Sequence, residues 1–414
     1  MSGELGRLQL TYEAVDCLKS PYLNTHHLQL QPTMKQTKAC LLAAVAVSAS
    51  TCSAETSTGD RVIQLGRDLY NGTTKVQFTT EALGEADFFK IDPGPNSTTF
   101  DSWYFDAMNP STNETVVFNF EIQRPTDNGA DVGITQYHVS LFGSFANGTA
   151  FSYGVNSEYA NITERADKSM RVDFFGGSEV SWSGSSLLQP RPVYNVTINS
   201  PETGIYGSLI LRGNTVAPHY TCGTDAAGVN EKNVEGVAWA NALPDAEATV
   251  DLNLGDTAMS FSGYGYHDKT WVDRPFQEAI QAAFWGHARL GPYAVVWWHS
   301  HAQDGTEISS EYLATYADGH VIASRCVDRV NNTLGWGEGQ IWPLVPGTPA
   351  PAGMIMRWDL GDAGVFVANI TSKDIFVTIP FWQAGRGPVS GGFVGGEQYT
   401  DETGLWSLNQ LPKL

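Results

Sequence analysis

The 414-residue chain is short of charge, of basic residues and of cysteine, and each shortage removes a class of function. Only 16% of its residues are charged, and 24 Lys and Arg stand against 44 Asp and Glu, leaving a formal charge of −20 with no basic block anywhere. Such a chain has no cationic face with which to neutralise phosphates, which argues against nucleic acid or an anionic membrane surface as partner. The acidic surface serves solubility. No stretch sustains a 3.6-residue apolar period, so long helices are not expected. No G-x-S-x-G occurs, and no G-x-G-x-x-G follows a strand and opens a helix; the glycine-rich GPVSGGFVGG from Gly387 lies among strand signals. Elbow-type serine hydrolysis and dinucleotide binding are therefore not expected, and no cofactor is. What remains is a hydrophobic small molecule, bound by shape, aromatics and a few polar groups.

Glycine and aromatics are plentiful, with 42 Gly, 12 Trp, 16 Tyr and 19 Phe, as many short strands joined by glycine turns would require. Period-two runs begin at Val116 (VVFNFEIQ), Ile134, Met170, Ser178, Val193 and Ile205, and resume after a turn-rich segment, 215–234, that is poor in apolar residues. Asn147-Gly148, Asp318-Gly319 and Gly361 to Gly364 read as hairpin turns. The best short helix is Arg274 to Ala283, with Pro275 suited to a first turn. The expected fold is all-β, with few short helices and two successive antiparallel barrel or sandwich domains, 55–235 and 236–414.

Met34 to Ala54 reads MKQTKACLLAAVAVSASTCSA, the layout of a secretory signal peptide and too short to span a bilayer. Residues 1–33 then read as an upstream extension or a disordered arm; a cytosolic arm with a membrane anchor is the alternative. The signal reading implies a secreted or lumenal protein, monomeric and without stable membrane insertion once processed. Eight sequons follow the signal segment, at Asn71, Asn96, Asn113, Asn147, Asn161, Asn195, Asn331 and Asn369, and none precedes it. Of five cysteines, Cys222 and Cys326 would remain in the product, either as a disulfide or as two buried thiols.

The densest polar-aromatic stretch runs from Phe261 to His301 and holds four His and four Trp. His267-Asp268-Lys269 follows Gly263-Tyr264-Gly265-Tyr266, an alternation that would let a strand bend or bulge and bring polar side chains together for proton transfer or carbonyl binding. His299 and His301 share a strand face at the spacing of a metal pair, with His267 or His287 as a third ligand. No cysteine or carboxylate spacing completes a set, so no metal is expected. Trp103, Tyr104, Asp106, Trp271 and Trp285 are the expected binding residues, since they adjoin these polar clusters.

DSWYFDA (Asp101 to Ala107), GYGYHDKTW, WGHARLGPYAVVWW and GGFVGGEQY, in that order over residues 100 to 400, resemble the hydroxyneurosporene synthase-like proteins, in particular the fungal Diels-Alderases of polyketide-amino acid pathways. The usual motif runs His-Asp, then Lys or His, then Asn-Trp-Gly; here Thr270 replaces the Asn and Val272 the Gly. The resemblance implies two lipocalin-like β-domains with substrate between or within them, no cofactor, and an intramolecular [4+2] cycloaddition of a linear polyene, with the cytochalasan-type enzymes most similar. A hydrogen bond to the dienophile would come from His267, Lys269, Tyr104 or His287, while Trp103, Trp271 and Trp285 fold the chain. Two other readings are an isoprenoid hydratase or isomerase, with Asp268 and His267 as acid and base, and a non-catalytic carrier of a hydrophobic metabolite.

Overall fold

A computed structural model describes residues 59–122, 135–327, 335–336 and 342–414; the expected extension 1–33, the signal segment 34–54 and the Asn331 sequon lie outside the described residues. The expectation of an all-β chain holds. Its strands form two large curled antiparallel sheets, with one helical turn at Phe276–Ala279 and one 3-10 turn at Gly361–Ala363 among the described residues. In the first sheet the central strands are Val237–Leu254, Thr257–Val272, Phe100–Met108, Thr115–Ile122 and Tyr137–Ser144, paired in that order. In the second they are Tyr293–Ala302, Ile280–Leu290, Tyr399–Gln410 and Trp382–Phe393.

Strands with both faces covered need apolar residues on both, and the apolar residues fall into three cores. One fills the inside of the first sheet, with Trp103, Phe105, Phe118, Trp182 and Trp271. Another fills the inside of the second, with Phe284, Trp297, Trp358 and Trp406. The third lies between the sheets and takes Val117, Phe142, Trp239 and Tyr266 from the first and Trp285, Val296, Trp298 and Ala384 from the second. Polar ties cross at the same junction. Arg289 forms a two-pronged bond to Asp245 at 2.7 and 2.9 Å, and Arg386 reaches the Thr112 carbonyl at 2.8 Å.

Three sequence expectations change. The first sheet runs on past residue 235 to Val272, so the change of sheet falls at 273–279. The reason is that the turn-rich segment is no linker: His219–Tyr220, Gly223–Thr224 and Lys232–Val234 are short strands at the margin of strand Val237–Leu254. Second, the helix after Pro275 is a single turn, because the sequence from Ile280 enters the second sheet as a strand. Third, the Gly-Tyr-Gly-Tyr alternation carries no bulge of its own. The extra residues lie on the partner, between Ala240 and Leu243 and between Leu243 and Ala246. The glycines serve close approach instead: a Cβ on Gly263 would stand 2.1 Å from the Met108 carbonyl oxygen. The Asn147-Gly148 turn forms as read, with Gly148 at φ +81°.

Cys222 and Cys326 form a disulfide that joins a hairpin of the first sheet to strand Val321–Val327 of the second. It closes a 104-residue separation, and constraining so long a loop in the unfolded chain stabilises the fold by a few kcal/mol. Replacing both cysteines by alanine should lower the unfolding free energy by about 2–5 kcal/mol in urea denaturation; an unchanged midpoint would show that the link carries no stability.

Candidate active site between the two sheets

Strands Phe100–Met108 and Thr257–Val272 pair with Asp268 opposite Tyr104 and Thr270 opposite Ser102. Side chains along a strand alternate between faces, so each strand presents one set to the inside of the first sheet and the other to the gap between sheets. Phe100, Ser102, Tyr104, Asp268 and Thr270 face the gap and line a cavity of about 340 Å³. Strands Thr115–Ile122 and Tyr137–Ser144 extend the same wall with Asn119, Glu121, Ser140 and Phe142. The second sheet closes it with Trp285, Trp298, Trp382, Ser407 and Asn409.

Two carboxyl groups stand in this wall. Asp268 Oδ2 accepts hydrogen bonds from the Trp239 indole and the Tyr266 hydroxyl, both at 2.8 Å, which leaves Oδ1 for a ligand. Burial pushes its pKa up to about 6, against those two bonds and the charge of His267. Glu121 is reachable from the cavity yet surrounded by protein, and burial raises it to about 7 against a bond from Ser140; Asn119 donates to its other oxygen at 3.0 Å. The Tyr104 hydroxyl is buried beside the Asp106 carboxyl and has no partner at full hydrogen-bond geometry. Burial, then the charges of Asp106 and Asp268, hold its ionisation far above a tyrosine's usual range, so it is a permanent O–H donor. Its ring stands edge-on to Trp285 at 5.0 Å. The Trp298 indole N–H is likewise without a partner.

Of the residues expected from sequence, Tyr104, Asp268 and Trp285 meet in the cavity. Asp106 and His287 sit one layer behind, bonded to each other at 2.8 Å, with the His287 ring stacked on Tyr266 at 4.3 Å. His267, Lys269, Trp103 and Trp271 point the opposite way, into the first sheet, and do not line this cavity; the period of two forbids them from sharing a wall with Asp268. His299 and His301 are also on a separate face, His301 against Glu307 at 2.9 Å and His299 against the Trp342 ring at 5.0 Å. Glu121, Asn119 and Ser140 were missed, although the alternation of VVFNFEIQ already sets Asn119 and Glu121 on one face opposite Phe118 and Phe120. Thr270, where the chain departs from the familiar motif, is a cavity residue.

The sequence profile of the Diels-Alderase-like family matches residues 62–334. A quinolone epoxide rearrangement protein of Emericella nidulans, asqO, is 36% identical over 336 residues, which cover 80% of this chain and 88% of the relative. The protein of the same description from Penicillium thymicola, penF, is 34% identical over 334 residues, covering 80% and 91%. Among solved structures, CghA with Sch210972 is similar in fold, with a TM-score of 0.69 over 85% of this chain and 99% of that one at 15% identity.

The site makes a prediction for stability that needs no substrate. Asp268 keeps its proton to about pH 6 in the folded chain but only to about its ordinary 3.8 when unfolded. Between those values unfolding releases a proton, so stability falls as pH rises through the window and levels off above it. Asp268→Asn has no such dependence. Its stability relative to the parent should improve by on the order of 2–3 kcal/mol from pH 4 to pH 7; parallel stability curves would contradict the raised carboxyl.

Proposed function

This chain belongs to the Diels-Alderase-like family, and from that footing we propose that it is a fungal isomerase that rearranges a compact, epoxide-bearing quinolone-type substrate in the inter-sheet cavity. The observation that carries the reading is a pair of buried carboxyls on one cavity wall, both raised by burial, Asp268 to about 6 and Glu121 to about 7. Midway between those values, near about pH 6.5, the commonest state has Asp268 as a carboxylate and Glu121 as a carboxylic acid. Epoxide rearrangement uses one of each. Glu121 gives its proton to the epoxide oxygen as a C–O bond breaks, and Tyr104 donates a hydrogen bond to the same oxygen. The developing cation is held near the Asp268 carboxylate and the faces of Trp285 and Trp298. A neighbouring group then migrates with its bonding pair, and the new carbonyl returns the proton, so atoms and electrons balance as an isomerisation.

Two further observations support it. The relatives covered over 88% and 91% of their length share the rearrangement description, and a cavity of about 340 Å³ is at the small end for ligand sites, suited to a compact ring system. The second reading is the intramolecular [4+2] cycloaddition of a polyketide-amino acid chain, favoured by the buried Tyr104 hydroxyl beside Trp285. That reaction needs a donor and a shape but neither carboxyl.

Incubating the purified protein with a quinolone epoxide should give a product of unchanged mass, fastest between pH 6 and 7. The rate should rise as Asp268 ionises and fall as Glu121 does. Glu121→Gln and Asp268→Asn should each lower kcat by about 100-fold or more. A product distribution equal to the spontaneous background refutes catalysis. Conversion of a linear polyene instead, with the carboxyl variants active and Tyr104→Phe impaired, selects cycloaddition.

We also propose that the chain matures in the secretory lumen. Asn71, Asn147, Asn195 and Asn369 are exposed, and Asn96, Asn113 and Asn161 are half-buried on outward faces; none lines the cavity. The disulfide suits the same oxidising compartment. Protein from a fungal host should drop in mass on treatment with peptide N-glycosidase, whereas unchanged mobility would count against this route.

A further inference from the structure

The His-Asp-Lys motif has two sides, and the side turned away from the cavity is as polar as the side facing it. His267 is fully buried inside the first sheet. Its Nε2 lies 3.0 Å from Asp87 Oδ1 and its Nδ1 lies 2.8 Å from the Tyr104 carbonyl oxygen. A backbone carbonyl can only accept, so Nδ1 carries a hydrogen. The carboxylate on the other side also accepts, so Nε2 carries one too, and a ring that donates from both nitrogens is an imidazolium. The Asp87 carboxylate is itself held in place by the Tyr194 hydroxyl. Burial works to raise Asp87, yet His267, the Tyr194 bond and Lys269 together hold it below its ordinary range. The imidazole ring is stacked flat on Phe105, 4.0 Å away and 3° from parallel.

The neighbouring Lys269 repeats the arrangement one pair further along. It is fully buried, ion-paired with Asp101, and set over the Trp103 ring at 3.9 Å. Asp101 lies between the cavity residues Phe100 and Ser102 and accepts from the Lys90 backbone N–H at 3.1 Å. Both ion pairs therefore tie segment 87–101 to the back of the strand whose front carries Asp268. A buried pair of this kind contributes little net stability compared with an apolar pair, which makes a role in placement the more economical account.

We propose that His267 is a positioning residue, held as an imidazolium by Asp87 and the Tyr104 carbonyl, which acts through the strand on Asp268 and fixes both the place and the charge of the cavity carboxyl. It touches no substrate. The inference rests on Asp268 being the reacting carboxyl, but its physical content can be measured without turnover. The groups that bear on Asp268 are the Trp239 and Tyr266 donors, the Asp106 carboxylate with its His287 partner, the Tyr104 phenol and Glu121 across the wall, and His267 behind. Those that bear on His267 are Asp87, Tyr194 and Lys269. Among them His267 is the cation directly behind Asp268, and its charge opposes the rise that burial imposes.

The test reads the ionisation of Asp268 directly, by infrared difference titration of the full chain with Asp268→Asn as the blank. In His267→Gln, and independently in the gentler Asp87→Asn, the Asp268 midpoint should move upward by roughly half to one pH unit. With substrate, the acid limb of the kcat profile should move by the same amount and KM should stay within about twofold. A merely structural His267 would lower the melting temperature and leave the midpoint where it was, and that result overturns the proposal. A second reading on the unaltered protein does not depend on the variants folding. In chains labelled with 15N-histidine, one buried ring should carry hydrogens on both nitrogens; finding every buried ring with a single N–H overturns it as well. A shifted midpoint without turnover would leave this inference standing and reject the proposed reaction, so the two fail separately.

Discussion

The pairing of strand Thr257–Val272 with strand Phe100–Met108 is the constraint on which the rest depends. Because side chains alternate, that ladder separates two chemistries a few ångströms apart. On the inner side stand charges that are paired and walled off by Trp103, Phe105 and Trp271. On the other side stand groups of the cavity wall: one oxygen of Asp268 without a protein partner, Tyr104 with its buried hydroxyl, and Thr270. Gly263 and Gly265 let the two strands approach as closely as this requires, since any side chain there would strike the backbone of the neighbouring strand.

The second sheet completes the site by covering the open side. Trp285 and Trp298 come from adjacent strands of that sheet and supply the apolar face opposite Tyr104, while Ser407 and Asn409 add polar groups. Excluding water from such a gap raises the carboxyls of Asp268 and Glu121 together, against the two donors on Asp268 and the Ser140 bond to Glu121. The gap is held by contacts outside the cavity, namely Arg289 on Asp245, Arg386 on the Thr112 carbonyl and the Cys222–Cys326 link. Cavity shape and acid–base balance thus follow from the same closure.

Much of this was legible in the sequence. Period-two runs located the strands, the glycine turns located hairpins, and the concentration of His and Trp between Phe261 and His301 marked the strands that form the junction. The two cysteines could have been thiols; the fold brings them together. What misled was adjacency. His267, Asp268 and Lys269 are consecutive, and a cluster in sequence invites the reading of a cluster in space, yet on a strand the middle residue looks away from its neighbours. Glu121 shows the converse: it lies almost 150 residues before Asp268 and joins it only because strand Thr115–Ile122 pairs beyond Phe100–Met108, a long-range register that one sequence does not display. The division near 235 failed for a related reason, since a segment poor in apolar residues can be a sheet margin as well as a linker.

The central claim is that the chemistry occurs in the gap between the sheets and not inside either one. A crystal structure of the chain with an unreactive quinolone substrate analogue tests it most directly. The account predicts the analogue between the sheets, its oxygen within hydrogen-bond reach of Tyr104 and its ring against Trp285 and Trp298, with His267 and Lys269 still paired behind the wall. Density for the analogue inside the first sheet, with His267 or Lys269 released from its aspartate to meet it, would contradict the account.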